Sequence, residues 1–346
     1  MTGPTPRPHE LTAMTHREVF DAPPADIDNA QDLARWHDYR DQYHRAQDLD
    51  GPDEWPLQLD VELNSKCNLR CAFCVHGQET VAKQVLDRDS LRRAILEGEE
   101  YGLVSMKWNY INEPLLDQDL PDWLTFAKDH GVLNTYFATN GTLLDEKWRG
   151  RLIDARLNKA MVSIDAATPE MYERMRGAPP KVYERVVRNV HALREDRERL
   201  GIGWPLIRVN FLRTYVNVEE EEAFRSMWEG VADTVGIQHQ IALPGREDTI
   251  YERDMDLDSF SCSMPSKLMV IAANGNILPC CTFSGREMPV GNIRDTTIAE
   301  AWTSSRVERL REAHAAQTWR DNPVCRQCIY GDAPIATPET DATYAR

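Results

Sequence analysis

Leu57-Gln-Leu-Asp-Val-Glu-Leu63 leads into Cys67-Asn-Leu-Arg-Cys71-Ala-Phe-Cys74. Apolar and polar residues alternate strictly in the first segment, which predicts a strand. Leu57, Leu59, Val61 and Leu63 share one face, and Gln58, Asp60 and Glu62 share the other. The second segment puts three thiols directly after that strand, where barrel strands deliver their active-site loops. Three thiolates with no fourth cysteine nearby suit an iron–sulfur cluster that keeps one metal position open. Zinc, which usually takes four protein ligands at a structural site, is the alternative.

Strand and helix patterns alternate onward from this junction. Asp87–Tyr101 reads as a helix with Leu91, Ala94, Ile95 and Gly98 inward and Asp89 or Ser90 as N-cap. Strands are expected at Val104–Tyr110, Leu133–Thr139, Ala160–Asp165, Leu206–Leu212 and Thr234–Ile241, with helices at Leu120–His130, Asp145–Ala155, Tyr183–Leu200 and Glu219–Gly230. These are six βα-type units. The expected fold class is α/β: a partial (β/α)6 TIM-like barrel followed by a small C-terminal β-hairpin and helix domain. Its hairpin turns at Asn274-Gly275, and helices follow at Thr297–Trp302 and Ser305–Ala316. Residues 1–56 form an N-terminal extension with one amphipathic helix near Asp26–Leu49, residues 57–242 the barrel, and residues 243–346 the C-terminal domain.

The chain has 346 residues, 42% hydrophobic and 28% charged, ample for a core. No apolar run reaches the length of a membrane span, and the N-terminus has no secretory pattern, so a cytoplasmic protein without membrane contact is expected. A net charge of −16 disfavours general nucleic-acid binding. Of the eight cysteines, Cys262, Cys280, Cys281, Cys325 and Cys328 make a second, C-terminal set, which reads as another thiolate metal site rather than a disulfide scaffold.

Cys-x-x-x-Cys-x-x-Cys after a first strand, with Phe73 before the third cysteine, resembles the radical SAM superfamily. Asn112-Glu113-Pro114 resembles that family's Gly-Gly-Glu-Pro motif, with Ile111-Asn112 where glycines usually stand. Thr139-Asn140-Gly141 and Ser163-Ile-Asp165 are similar to its third and fourth strand ends. The resemblance implies that Cys67, Cys71 and Cys74 hold a 4Fe–4S cluster whose fourth iron is chelated by S-adenosyl-L-methionine. It implies that reduction yields a 5′-deoxyadenosyl radical that abstracts a hydrogen atom from substrate. Phe73, Asn112, Glu113, Asn140, Ser163, Asp165, Arg208 and Asn210 are the implied cofactor-binding residues, and a flavodoxin or ferredoxin the implied one-electron donor.

The second set, Cys262, Cys280 and the pair Cys325 and Cys328, resembles the SPASM and twitch extensions of that family. Too few cysteines are present for two clusters, so one auxiliary 4Fe–4S cluster is implied; zinc is the alternative. The spacing is similar to that of the 2-deoxy-scyllo-inosamine dehydrogenases. Cys281 is left over, either a hydrogen-atom donor or a small buried residue facing away from its neighbour's site.

Strand periodicity sends Gln58, Asp60, Glu62, Lys107, Asn109, Ser163, Asp165, Arg208, Asn210, Gln238 and Gln240 into the barrel lumen, with a Glu62–Lys107 pair expected. A lumen this polar suits a small hydroxylated or charged substrate. Glu62, Lys107, His76 and Arg246 are the catalytic candidates; His76, with Gln78, and Arg246 are placed by their loops at the barrel mouth. His239 alternates outward. The expected activity is hydrogen abstraction from a sugar-, aminocyclitol- or nucleoside-like molecule, with net oxidation of an alcohol carbon. Redox-neutral decarboxylation, dehydration or epimerisation, and peptide maturation, are the alternatives.

Overall fold

Alternating side chains build the barrel from its first strand. The computed structural model describes residues 21–78, 80–239 and 260–330. In chain order these hold α1 (Ala30–Arg45), β1 (Gln58–Val61), α2 (Val75–Gln78), α3 (Arg88–Glu100), β2 (Ser105–Lys107), α4 (Leu120–Asp129) and β3 (Asn134–Thr139). There follow α5 (Glu146–Asp154), β4 (Lys159–Ser163), α6 (Pro169–Arg176), α7 (Pro180–Leu200), β5 (Leu206–Arg213), α8 (Glu221–Trp228) and β6 (Thr234–His239). The C-terminal part holds β7 (Leu268–Ile271), β8 (Asn276–Leu278), β9 (Gly291–Asn292), α9 (Ile298–Trp302), α10 (Ser305–Ala315) and α11 (Pro323–Tyr330).

β1 to β6 are parallel neighbours in sequence order, the partial (β/α)6 barrel with its helices outside. Leu59, Val61, Met106, Phe137, Ala160, Val162, Ile207 and Val209 are fully buried in one cluster with Leu91, Ile95, Leu124, Leu152, Val186 and Val190 of the helices. Apart from Ala160, each such side chain contributes roughly 1.5–3 kcal/mol on leaving water.

The hairpin forms at the expected turn. β7 and β8 pair antiparallel about Gly275, whose φ is +88°, a conformation that favours glycine. The sequence did not reveal that β7 also pairs in parallel with β1, Gln58 opposite Leu268. One nine-stranded sheet, β6-β5-β4-β3-β2-β1-β7-β8-β9, therefore runs through both halves.

α1 packs across the amino ends of β1 to β4. Trp36, Tyr39 and Ala46 pack against Leu57, Val104 and Leu133, which directly precede β1, β2 and β3. The Lys159 ammonium, at the start of β4, lies 5.5 Å from the centre of the Trp36 ring. The N-cap of α3 is Asp87, accepting from Ser90 N at 2.8 Å, rather than Asp89 or Ser90. Three helices escaped the sequence reading, α2, α6 and α11. Among the described residues, no helix is long and apolar enough to cross a membrane.

Candidate functional site

Cys67, Cys71 and Cys74 lie between β1 and α2, at the carboxyl end of the barrel. The loop is pinned from both sides. A Cβ on Gly77 would sit 2.1 Å from the Cys71 carbonyl oxygen, and one on Gly177, whose φ is +65°, would sit 2.8 Å from that of Arg70. The Ala72 amide donates to Met175 O at 3.2 Å, tying the loop to α6. All three thiols line a cavity of about 460 Å³ with the ends of the next strands. Burial pushes all three thiols up, Cys71 to about 11 although Arg176 pulls it down. Thiols this weakly acidic become ligands when a metal displaces their protons.

Phe73, Asn112, Glu113, Asn140 and Ser163 line the same cavity. Glu113 is fully buried, and its carboxylate already accepts from Thr139 Oγ1 (2.6 Å), Asn140 N (2.8 Å) and Leu115 N (3.1 Å). It braces the loops after β2 and β3 and keeps acceptor capacity for one more donor. Asn112 Oδ1 accepts from Tyr110 N at 3.2 Å, while its Nδ2 is buried without a protein partner.

Arg176, the last residue of α6, is a charged cavity-lining side chain that the sequence reading missed. It lines the cavity, with Nη1 3.7 Å from Cys71 Sγ, Nη2 2.5 Å from Asp165 Oδ2, and Cζ 5.3 Å from the centre of the Phe73 ring. Burial works against its charge, but Asp165 and then Cys71 outweigh that and raise its pKa. Asp165 is held at φ +63° just beyond β4, and its other oxygen accepts from Leu212 N at 2.8 Å. Thr168 as N-cap, Pro169 at the first turn and Gly177 as C-cap are local signals that mark α6 in the sequence.

Other expected residues are placed elsewhere. The Glu62–Lys107 pair does not form. The β1–β2 register sets Asp60 opposite Lys107, and Lys107 Nζ donates to Asp60 Oδ2 at 3.1 Å. Gln58 joins that network, donating to Asp60 at 2.6 Å and accepting from Tyr136 OH at 2.9 Å. These lumen groups satisfy one another below the cavity. Glu62, beyond the end of β1, accepts instead from the backbone amides of Ile111 (3.3 Å) and Ala273 (3.0 Å). Burial pushes it up to about 7. Arg208 Nε donates to Asn210 Oδ1 at 2.7 Å, and neither residue borders the cavity. His76 is buried on α2 with Nε2 lacking a protein partner. Asn109 and Gln238 do border the cavity. Arg246 and Gln240 lie outside the described residues, as do the side chains of Gln78 and His239.

The second set of cysteines surrounds a separate cavity. Cys262, Cys280, Cys325, Cys328 and His314 line a space of about 40 Å³ walled largely by apolar side chains such as Phe260, Leu310 and Val324. Cys325 and Cys328 lie one turn apart on α11, whose first turn is capped by Asn322 Oδ1 accepting from Val324 N (2.9 Å) and Cys325 N (3.2 Å). Burial raises these thiols too, Cys262 and Cys280 to about 11. Cys281 faces the other way, packed with Tyr110, Leu268 and Val270. Among the described residues, no three His, Cys, Asp or Glu side chains converge as they would on a single ion.

Residues 61–211 match the model of the radical SAM superfamily, and residues 262–329 match that of the SPASM iron–sulfur cluster-binding domain. The chain is a radical SAM protein with a SPASM domain. This radical SAM protein is 29% identical over 154 residues to a probable GTP 3′,8-cyclase of Methanococcus maripaludis strain C5, a match covering 44% of this chain and 48% of the relative. It is 32% identical over 167 residues to that of Metallosphaera sedula, covering 48% and 50%. The match thus spans about half the length of these relatives. Its fold is similar to that of BtrN in complex with AdoMet and 2-DOIA (20% identity, TM-score 0.54, 80% of this chain and 94% of that one). It is also similar to Streptococcus suis SuiB bound to precursor peptide SuiA (16%, TM-score 0.58, 82% and 72%).

These domains imply S-adenosyl-L-methionine and 4Fe–4S clusters as cofactors. The residues fit them. Thiols spread around a cavity are the donor set of a polynuclear cluster. The unpartnered Asn112 Nδ2 and the Arg176 guanidinium offer donors to a carboxylate at the rim of the first cavity.

Proposed function

We propose that this radical SAM enzyme oxidises an alcohol carbon of a small polar substrate that is sugar-, aminocyclitol- or nucleoside-like. The observation that carries this reading is the second cavity, closed by four cysteine thiols and apolar side chains apart from the larger cavity at the barrel mouth. Four protein ligands leave an auxiliary cluster no iron open to substrate, so the chemistry it would supply there is acceptance of an electron. In the first cavity Cys67, Cys71 and Cys74 would hold the other cluster, which with S-adenosylmethionine supplies a hydrogen-abstracting radical when both are bound. Asn112 and Arg176 would take the carboxylate of that cofactor and Glu113 its ammonium. Phe73 and Leu212 exclude water around them. Asn109, Tyr110 and Gln238 remain to meet the polar groups of the substrate. A flavodoxin or ferredoxin would deliver the priming electron.

A redox-neutral outcome is the second reading, and Cys281 favours it. Its thiol shares a cluster with Tyr110, which borders the large cavity. The test is turnover in deuterium oxide across a panel of aminocyclitols, sugars and nucleotides, with product analysed by mass spectrometry. Oxidation predicts a ketone two hydrogens lighter, one S-adenosylmethionine consumed per product, no solvent deuterium at the reacting carbon, and full activity in Cys281→Ala. Deuterium at that carbon, lost in Cys281→Ala, would overturn the proposal in favour of epimerisation.

A further inference from the structure

His314 and Thr282 join the four thiols at the second cavity, and neither the cysteine spacing nor the domain match assigns His314 a task. It sits in the last turn of α10, is 2% exposed, and its ring borders the space between the four thiols. Its two nitrogens are engaged differently. The Cys262 amide donates to Nδ1 at 3.2 Å, so Nδ1 presents a lone pair and the ring proton sits on Nε2. Nε2 lies 3.7 Å from Cys325 Sγ, within reach of an N–H···S hydrogen bond. A nitrogen that carries the ring proton is a donor and not a metal ligand.

The ring is held in this attitude. It stacks on Trp319 at 15° with centroids 6.2 Å apart, and Trp319 Nε1 donates to Phe260 O at 2.8 Å. Ser261 Oγ donates to His314 O at 2.7 Å. The segment carrying Cys262 is therefore bonded to both the backbone and the ring of His314, and the ring reaches across to the helix carrying Cys325.

We propose that His314 is a positioning residue of the auxiliary site, whose Nε2–H donates to the Cys325 sulfur and raises the reduction potential of the cluster bound there. The inference rests on the reading that these four cysteines hold an iron–sulfur cluster. Reduction adds negative charge to a cluster and its sulfurs, so a donor fixed on one of them stabilises the reduced form more than the oxidised form. Thr282 is the other polar side chain in the lining, and its hydroxyl (3.2 Å) and amide (3.4 Å) meet Cys280 Sγ, so His314 serves a different sulfur, in a cavity whose remaining walls are apolar.

The experiment is an EPR-monitored redox titration of the anaerobically reconstituted full chain. The auxiliary signal is recognised as the one unaffected by adding S-adenosylmethionine. His314→Phe keeps the stacking ring and removes the donor, and His314→Gln keeps an N–H at similar reach. Iron content should stay at the parent value in both. At fixed ambient potential, His314→Phe should lower the reduced-to-oxidised ratio of the auxiliary cluster about tenfold, which is about 59 mV for one electron; His314→Gln should restore much of that. Equal potentials in all three proteins would overturn the proposal, and so would loss of the auxiliary iron from both variants, which marks His314 as a ligand. If His314→Phe alone fails to assemble, a parent-like potential in His314→Gln supports the proposal. A parent chain with only one cluster would overturn the underlying cluster reading instead.

Discussion

Arg176 meets two acceptors at once, the carboxylate of Asp165 and the sulfur of Cys71, from a position almost without solvent. Removing one member of such a pair leaves the other charge buried and alone, which typically costs about 3–5 kcal/mol. Arg176→Met should destabilise the cluster-free chain by that order in urea unfolding. Asp165→Asn added to it should recover much of the loss, because asparagine tolerates the left-handed backbone there and needs no counter-charge. Additive losses in the double variant would show that the two side chains do not work as a pair. The cysteines were legible in the sequence because their spacing alone carries chemistry. Arg176 was not, because its meaning depends on α6 ending beside the cysteine loop. Lys107 was misassigned for a related reason. Periodicity predicts the face a residue occupies, whereas the β1–β2 register decides that it meets Asp60 and not Glu62.

At the scale of elements, α1 shows what an amphipathic pattern leaves out. The sequence suggests a helix packed outside the barrel; the contacts that place it across the amino ends of β1 to β3 come from single residues before each strand. Lys159 is buried under this helix, and burial, with Arg40 adding repulsion, drops its pKa to about 7. Its folded value lies below its unfolded one. Between these two values the unfolded chain binds more protons, so the stability contribution is present above about 10.5 and lost as pH falls through 7. The parent should thus gain stability relative to Lys159→Met as pH rises from 7 to 10, by up to about 4 kcal/mol. Parallel stability curves in chemical denaturation would show that the Lys159 proton is not linked to folding. The strands and helices of the barrel were legible because each buries one face. The α6 helix carried cap signals that the reading passed over, and α11 was hidden because its cysteine pair was read for metal binding and not for helical spacing.

Across the whole molecule, both halves share β1, which pairs with β2 on one side and β7 on the other. Two carboxylates reinforce that seam. Glu62 ties the loop after β2 to the hairpin. Glu97 of α3 accepts from Ile298 N and Ala299 N, both at 3.0 Å, and so caps a helix of the other half. The halves should unfold together. Glu97→Ala should lower the urea midpoint at both Trp108 in the barrel and Trp302 beyond the seam, each corresponding to a loss of about 1 kcal/mol of unfolding free energy, as for loss of a cap. Midpoints that separate, with Trp108 unmoved, would show two independent folding units. A pairing between strands about 210 residues apart in the chain, as between Gln58 and Leu268, has no local signature, which is why the sequence suggested two adjoining domains and not one sheet.

The covered amino end also sets a direction. α1 acts as a stopper beneath β1 to β4 and the Asp60–Lys107 network as a floor above it, so the cysteine-lined cavity has its back to this helix and its face toward the carboxyl ends of the strands.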